Sequence, residues 1–347
     1  MSILTSNNTS AEKLVCVILP RFNMASLTML IEPLRIANYI SDQPLYDWQF
    51  LTPGGGKVTA SNGMVVECAD LPSISQPSQI VLFGSWGAER NTDYQLMNWL
   101  RQFVRHGTPI IGVETGAYIL ARAGLLHHKP ATTHWSLYAG FSETFPDIDA
   151  SEQLYTIDQT IMTCAGGTAT ADLMLYLMQE QHGSDLAGEV SSQMLHQNIR
   201  TPETMQRPIV ATSSGNINPI ILDVTRFLER HIEDHIPIPE LCVRTGIPQR
   251  KLERLFRRDL GCTVVQFYRQ LKLQYARTLL VSTNMNIREI SVACGFNSMS
   301  YFSHCFSKTF GRKPSLYRMA WPDDQPEPTW HGTIYSFIRN PAKNTTG

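Results

Sequence analysis

The run Gly112-Val113-Glu114-Thr115-Gly116 sets a carboxyl between two glycines, directly after the apolar stretch TPIIGV (108–113). A side chain there stands where a strand hands over to a helix, and a carboxylate near a helix start is electrostatically favourable. Other candidate chemistry is thinner. The seven cysteines (16, 68, 164, 242, 262, 294, 305) are scattered with no C-x-x-C pair, which speaks against a zinc site or a disulfide framework and for a reducing cytoplasm. Cys164 ends an apolar strand and is expected in the core. His127-His128 lacks a further ligand at metal spacing and is expected in a surface loop. Gly54-Gly55-Gly56 reads as a turn, since no helix with Lys-Ser/Thr follows it. No metal or cofactor is expected. The densest charge lies far downstream, where Gln249, Arg250, Lys251, Arg254, Arg257 and Arg258 crowd one short segment.

The elements that must position these groups fall into two classes. LVCVIL (14–19), WQFLT (48–52), QIVLFG (79–84), TPIIGV (108–113) and TIMTCAG (160–166) read as strands. Helical periodicity covers 24–40, with Leu27, Leu30, Ile31 and Leu34 on one face, and about 92–105, 115–124 and 168–181. Such alternation implies an α/β domain with a parallel sheet covered on both faces, its ligands at the carboxyl ends of the strands. Residues 199–219, with three prolines and a Ser-Ser-Gly-Asn cluster, read as a linker. Residues 220–320 show only helical patterns, and the proline-rich 321–347 reads as a loosely ordered tail.

With 347 residues, 43% hydrophobic and 17% charged, the chain has the length of two or three domains and the composition of a folded protein. No apolar run approaches the roughly 18 residues of a membrane span. Met1 to Lys13 is polar, so no signal peptide is expected. Residues 1–218 hold 11 Lys and Arg against 19 Asp and Glu, whereas residues 219–320 hold 16 against 8. A basic C-terminal third on an acidic N-terminal portion points to a polyanion met by the former alone.

That third contains a repeat. IPELCVRTGI (238–247) aligns with IREISVACGF (287–296), and Leu252, Phe256, Leu260 and Gly261 then align with Phe302, Phe306, Phe310 and Gly311. Each copy reads as a short helix, a turn at Gly246 or Gly295, and a second helix: a helix-turn-helix unit. ISVACGFNSMSYFSHCFSKTFGRKPSLYR (290–318) resembles the signature of AraC-type transcription regulators. The resemblance implies two such units joined by a long helix, here Val264 to Val281, and double-stranded promoter DNA as partner. At 1.5 Å per residue the join is roughly 27 Å long, suited to two recognition helices in successive major grooves. Those helices are expected to begin near Pro248 and Ser298. Gln249, Arg250, Lys251, Arg254 and Arg258 are the DNA-facing candidates of the first, with Lys251 and Arg258 on phosphates. Ser298, Met299, Ser300, Ser303 and His304 are those of the second.

A second resemblance covers about residues 12–195. GVETGAYILARAGLLHHKPATTHW (112–135) and TCAGGTATADLML (163–175) are similar to the PfpI-like branch of the class I glutamine-amidotransferase superfamily. That implies a flavodoxin-like sandwich over 12–198, acting as sensing and dimerisation domain. Regulators that join it to an AraC-type end form the GlxA-type group. Where the enzymes carry a cysteine on the elbow, this chain has Glu114, a poor replacement for a thiolate nucleophile. The domain is therefore expected to be catalytically inactive and reused for binding, with a fused PfpI-like hydrolase, amidase or glyoxalase as the alternative. Around the elbow the resemblance places Glu32, Trp86, Glu114, Thr115, His134 and Trp135. Two carboxylates and two indoles suit a small cation, and the EPLRIAN run (32–38) resembles the glycine betaine- and carnitine-sensing sub-branch. The reading is a cytoplasmic, homodimeric activator that works with RNA polymerase and answers an amine effector.

Overall fold

Residues 14–18 are apolar without a break because both faces of their strand are covered: Leu14, Cys16 and Ile18 enter one core, Val15 and Val17 another. In this computed structural model the described residues are 11–317, apart from 43, 74–75, 85–86, 88–92, 159, 207–217 and 235. Trp86, most of the expected linker and the tail 321–347 lie outside them.

The chain divides into two compact units, 1–206 and 207–347. The first runs β1 (Glu12–Ile18), α1 (Met24–Ile40), β2 (Tyr46–Thr52), β3 (Gly56–Thr59), β4 (Val65–Asp70), β5 (Gln79–Gly84), α2 (Tyr94–Arg105), β6 (Ile110–Glu114), α3 (Gly116–Arg122), β7 (Pro130–Thr132), α4 (Trp135–Thr144), β8 (Asp149–Ser151), β9 (Tyr155–Asp158), β10 (Ile161–Cys164), α5 (Ala169–His182) and α6 (Ser184–Gln193). The main sheet has the order β3-β4-β2-β1-β5-β6-β10-β9. Strands β4, β2, β1, β5, β6 and β10 pair in parallel, while β3 and β9 close the edges antiparallel. Helices α1, α5 and α6 pack on one face, and α2, α3 and α4 on the other. This is the flavodoxin-like sandwich, with antiparallel edges added to the expected parallel sheet. The triple glycine after β2 is a turn, with φ of 79°, 66° and 100°.

Residues 199–206, expected in the linker, instead pack on this unit. The buried Asp172 of α5 accepts from Arg200 N and Nε (2.8 and 2.9 Å) and from His196 Nε2 (2.8 Å). Gln206 Nε2 donates to Thr133 O at 2.8 Å and to Gln153 O at 3.0 Å, while its Oε1 accepts from Trp135 N at 2.7 Å.

The second unit is helical in its described residues: α7 (Pro219–Arg230), α8 (Ile238–Thr245), α9 (Gln249–Leu260), α10 (Val264–Ser282), α11 (Ile287–Ala293), α12 (Met299–Phe310) and α13 (Pro314–Tyr317). It holds two cores. Leu241, Leu252, Phe256 and Leu271 belong to the first, and Leu273, Ile290, Phe302 and Phe306 to the second. A capping box at Thr263 starts α10, whose 19 residues span about 28 Å. The turns of both units fall on left-handed glycines, Gly246 at φ 67° and Gly295 at φ 63°.

Candidate functional site

Glu114 ends β6 with φ at 54°, a left-handed backbone on a residue that does not favour it. Such a conformation persists only where its surroundings fix it. Here the fixing is visible. A Cβ on Gly116 would meet Leu82 O at 2.5 Å, and one on Gly166 would lie 2.1 Å from Glu114 Cγ. The Gly166-Gly167 pair therefore lets the β10–α5 loop close directly over the carboxyl.

That carboxyl is 8% exposed. Its Oε1 accepts from Asn23 Nδ2 at 2.7 Å and from Ser26 Oγ at 2.6 Å. Ser26 Oγ in turn accepts from Gly167 N at 2.7 Å. Asn23 also caps α1, its side-chain oxygen accepting from Ala25 N. Burial pushes the Glu114 pKa above the usual carboxyl range, opposed by the hydrogen bonds of Ser26, Asn23 and the Gly167 amide. All three of these donors are neutral, so they stabilise the carboxylate without cancelling its charge. Nearby, burial raises the Cys164 thiol to about 12, so it stays protonated in the core.

The structure sorts the expected pocket residues. Thr115 is buried directly after Glu114. Thr133, which sequence reasoning passed over, donates from Oγ1 to the Glu114 carbonyl at 2.9 Å. The adjoining His134 turns Nδ1 to Ser136 Oγ at 2.8 Å, capping α4. Trp135, 39% exposed, lies beside it with ring centroids 5.3 Å apart. Glu32 is a correction. Its Oε2 accepts both Nε and Nη2 of Arg35, at 2.9 and 2.8 Å, on the half-exposed side of α1. Six residues beyond Ser26, it is about 9 Å further along α1 and turned well away from the face that meets Glu114. The expected pair of carboxylates is replaced by one carboxyl with an amide and a hydroxyl. Asn23 carried a usable signal, an Asn just ahead of an apolar-periodic helix.

In the second unit the outward residues of α9 are those expected. Gln249, Arg250, Lys251, Arg254, Arg257 and Arg258 are exposed, while Leu252, Leu255 and Phe256 are buried. Pro248, Gln249, Arg250, Glu253, Arg254 and Arg257 line one concave surface. Arg258 is tied to Asp259, with Nη2 to Oδ2 at 2.9 Å. On α12, Ser298, Met299, Ser300 and His304 are exposed and Ser303 is half-buried. Ser298 Oγ caps the helix by accepting from Tyr301 N. Tyr301, 51% exposed on the same turn, was not foreseen. Among the described residues no group of three His, Cys, Asp or Glu is placed to hold a metal. Among them, too, no helix is long and apolar enough to cross a membrane.

Residues 45–180 match the DJ-1/PfpI family and residues 241–320 the helix-turn-helix domain. The chain is 38% identical to the HTH-type transcriptional regulator CdhR of Pseudomonas aeruginosa, over 90% of this chain and 93% of that protein. It is 33% identical to GbdR of the same species, over 92% and 87% of the two chains. GlxA of Rhizobium meliloti is also 33% identical, over 90% and 98%. The chain is a GlxA-type member of the AraC family of transcription regulators. As a helix-turn-helix regulator it binds promoter DNA. Within this regulator the DJ-1/PfpI sandwich carries a glutamate on its elbow, and the helical unit presents paired helices of equal length, 12 residues each.

Proposed function

We propose that this regulator senses a small amine cation at the Glu114 elbow and activates, as a cytoplasmic homodimer acting on RNA polymerase, genes for the amine's breakdown. The observation that carries the reading is the strained, buried Glu114 carboxyl, whose described donors Asn23, Ser26 and the Gly167 amide are all neutral. A buried carboxyl with a raised pKa and no cationic partner among these donors gains most from a ligand that supplies the positive charge. Thr115, His134 and Trp135 are proposed to complete the site together with Trp86, with Trp86 or Trp135 over the ligand's apolar groups. A thermal-shift screen of the full chain against small amines and amino-acid derivatives tests this. A binder at 100 times its Kd stabilises by about 2.7 kcal/mol, and no shift with any amine argues against a cation sensor.

The rival reading is an enzyme fused to a DNA-binding end. Glu114 in place of a thiolate disfavours it, so the purified protein is expected to show no amidase, protease or glyoxalase turnover. Turnover in wild type that vanishes in Glu114→Gln would make the carboxylate a catalyst and reverse that reading.

For DNA, Gln249, Arg250 and Arg254 are proposed to read base edges, and Lys251 and Arg258 to meet phosphates. On α12 the proposed contacts are Ser298, Met299, Ser300, Ser303 and His304. Arg250→Ala or Arg254→Ala is expected to cost about 1–3 kcal/mol and to relax preference at particular base pairs. Binding measured on duplexes with single substitutions checks this. A loss equal on all sequences would mean that these arginines touch only the backbone.

A further inference from the structure

The two cores of the DNA-binding unit part at one residue of α10: Leu271 belongs to the first, Leu273 to the second, and Lys272 lies between them. Lys272 is only 5% exposed, an unusual state for a lysine on an amphipathic helix. Its Nζ donates to Asp234 O at 2.8 Å, in the α7–α8 connection, and to Gly295 O at 3.1 Å, in the turn of the second helix-turn-helix. It also stands 4.6 Å from the ring centroid of Tyr268, whose hydroxyl is shared between the carbonyls of His231 and Asp234 at 2.6 and 2.7 Å. Tyr275 reaches the same connection from α10, donating to Glu233 Oε1 at 3.3 Å. A Cβ on Gly295 would meet Lys272 Nζ at 2.5 Å and Glu233 O at 2.6 Å. The left-handed glycine of the second turn is thus required by this close approach as well as by its φ.

We propose that Lys272 is a positioning residue for DNA recognition: by bridging Asp234 O and Gly295 O it holds the first helix-turn-helix at one fixed setting relative to the second. The accepted distance between two DNA half-motifs is then fixed with it. Without the bridge, the two cores are joined through α10 and the longer Tyr275–Glu233 and Arg269–Tyr301 contacts, and the α9–α12 setting is less tightly held. A buried charge held by carbonyls is suited to such a role, because its cost is recovered only in the one geometry that supplies both acceptors. The inference rests on α9 and α12 being the recognition helices.

The test selects duplexes from a randomised pool with the full-length protein and reads the gap between the two recovered motifs. Wild type is expected to return a single gap, and Lys272→Met the same two motifs with gaps spread over several lengths. Inserting one base pair into a selected duplex is expected to cost wild type about tenfold or more in affinity and the variant about threefold or less. An unchanged single gap and unchanged insertion penalty in a folded Lys272→Met protein would overturn the proposal. So would loss of either motif itself, which would indicate a general structural role. Should Lys272→Met fail to fold, Lys272→Gln, which keeps a polar head but is too short to span both carbonyls in the wild-type geometry, gives the same comparison with the same outcomes. Failure of the underlying reading shows elsewhere: Arg254→Ala in otherwise wild-type protein would then leave the first motif unaltered.

Discussion

Glu114→Gln is expected to weaken binding of a cationic effector by about one to two orders of magnitude, because a charge-assisted contact contributes about 1.5–3 kcal/mol. The same variant is expected to be at least as stable as wild type at neutral pH, which separates loss of a ligand contact from loss of fold. The sign follows from burial, which raises the native pKa of Glu114 above its unfolded value. Between the ordinary carboxyl value and that raised value, the native state binds more protons than the unfolded state. Wild-type stability therefore falls as pH rises through this window and levels off above it. The Gln variant lacks that contribution, so the two stability curves converge as pH falls through the window. A cationic ligand favours the ionised carboxyl, so its affinity in wild type should drop as pH falls through the same range. Thermal melts and calorimetry across pH check both halves. A variant that melts well below wild type at neutral pH while keeping its effector affinity would contradict them.

Asp172→Ala is expected to destabilise the first unit by about 1–3 kcal/mol, the usual consequence of removing a buried acceptor from partners that water can partly reach. Asp172 is fully buried and takes the guanidinium and amide of Arg200 together with His196 Nε2. Its removal leaves the half-buried Arg200 without its carboxylate and loosens the stretch that ends in Gln206. Chemical denaturation measures the loss, and limited proteolysis should cut near 196–206 in the variant before wild type is touched. A loss under about 1 kcal/mol would mean that water replaces the carboxylate at little cost.

What sequence reasoning reached and missed follows from the range of the forces involved. β1, β5 and β6 were legible because burial on both faces leaves continuous apolar runs, and the doubled helix-turn-helix because its glycines and apolar positions repeat locally. β3 and β4 were missed since β3 at the sheet edge and its partner expose most of their side chains. Glu114 was legible from two flanking glycines, yet its partners Asn23 and Ser26 lie 91 and 88 residues away, where no local pattern reports them. Glu32 was misplaced by the same limit: it sits on the right helix but on the wrong face of it. The linker was begun too early because its prolines hide the pairing of Arg200 and Gln206 with the sandwich. Nothing local in the sequence marks Lys272, since only the tertiary fold supplies its two carbonyls.

The most direct test is a calorimetric titration of the full-length protein with quaternary ammonium compounds (choline, carnitine and glycine betaine), each beside the tert-butyl isostere that lacks only the ammonium charge. A preference of about tenfold or more for a charged member, corresponding to about 1.4 kcal/mol, that disappears in Glu114→Gln is the result expected of a cation sensor built on the elbow. Equal affinity for an amine and its isostere, or a preference that survives Glu114→Gln, would contradict it.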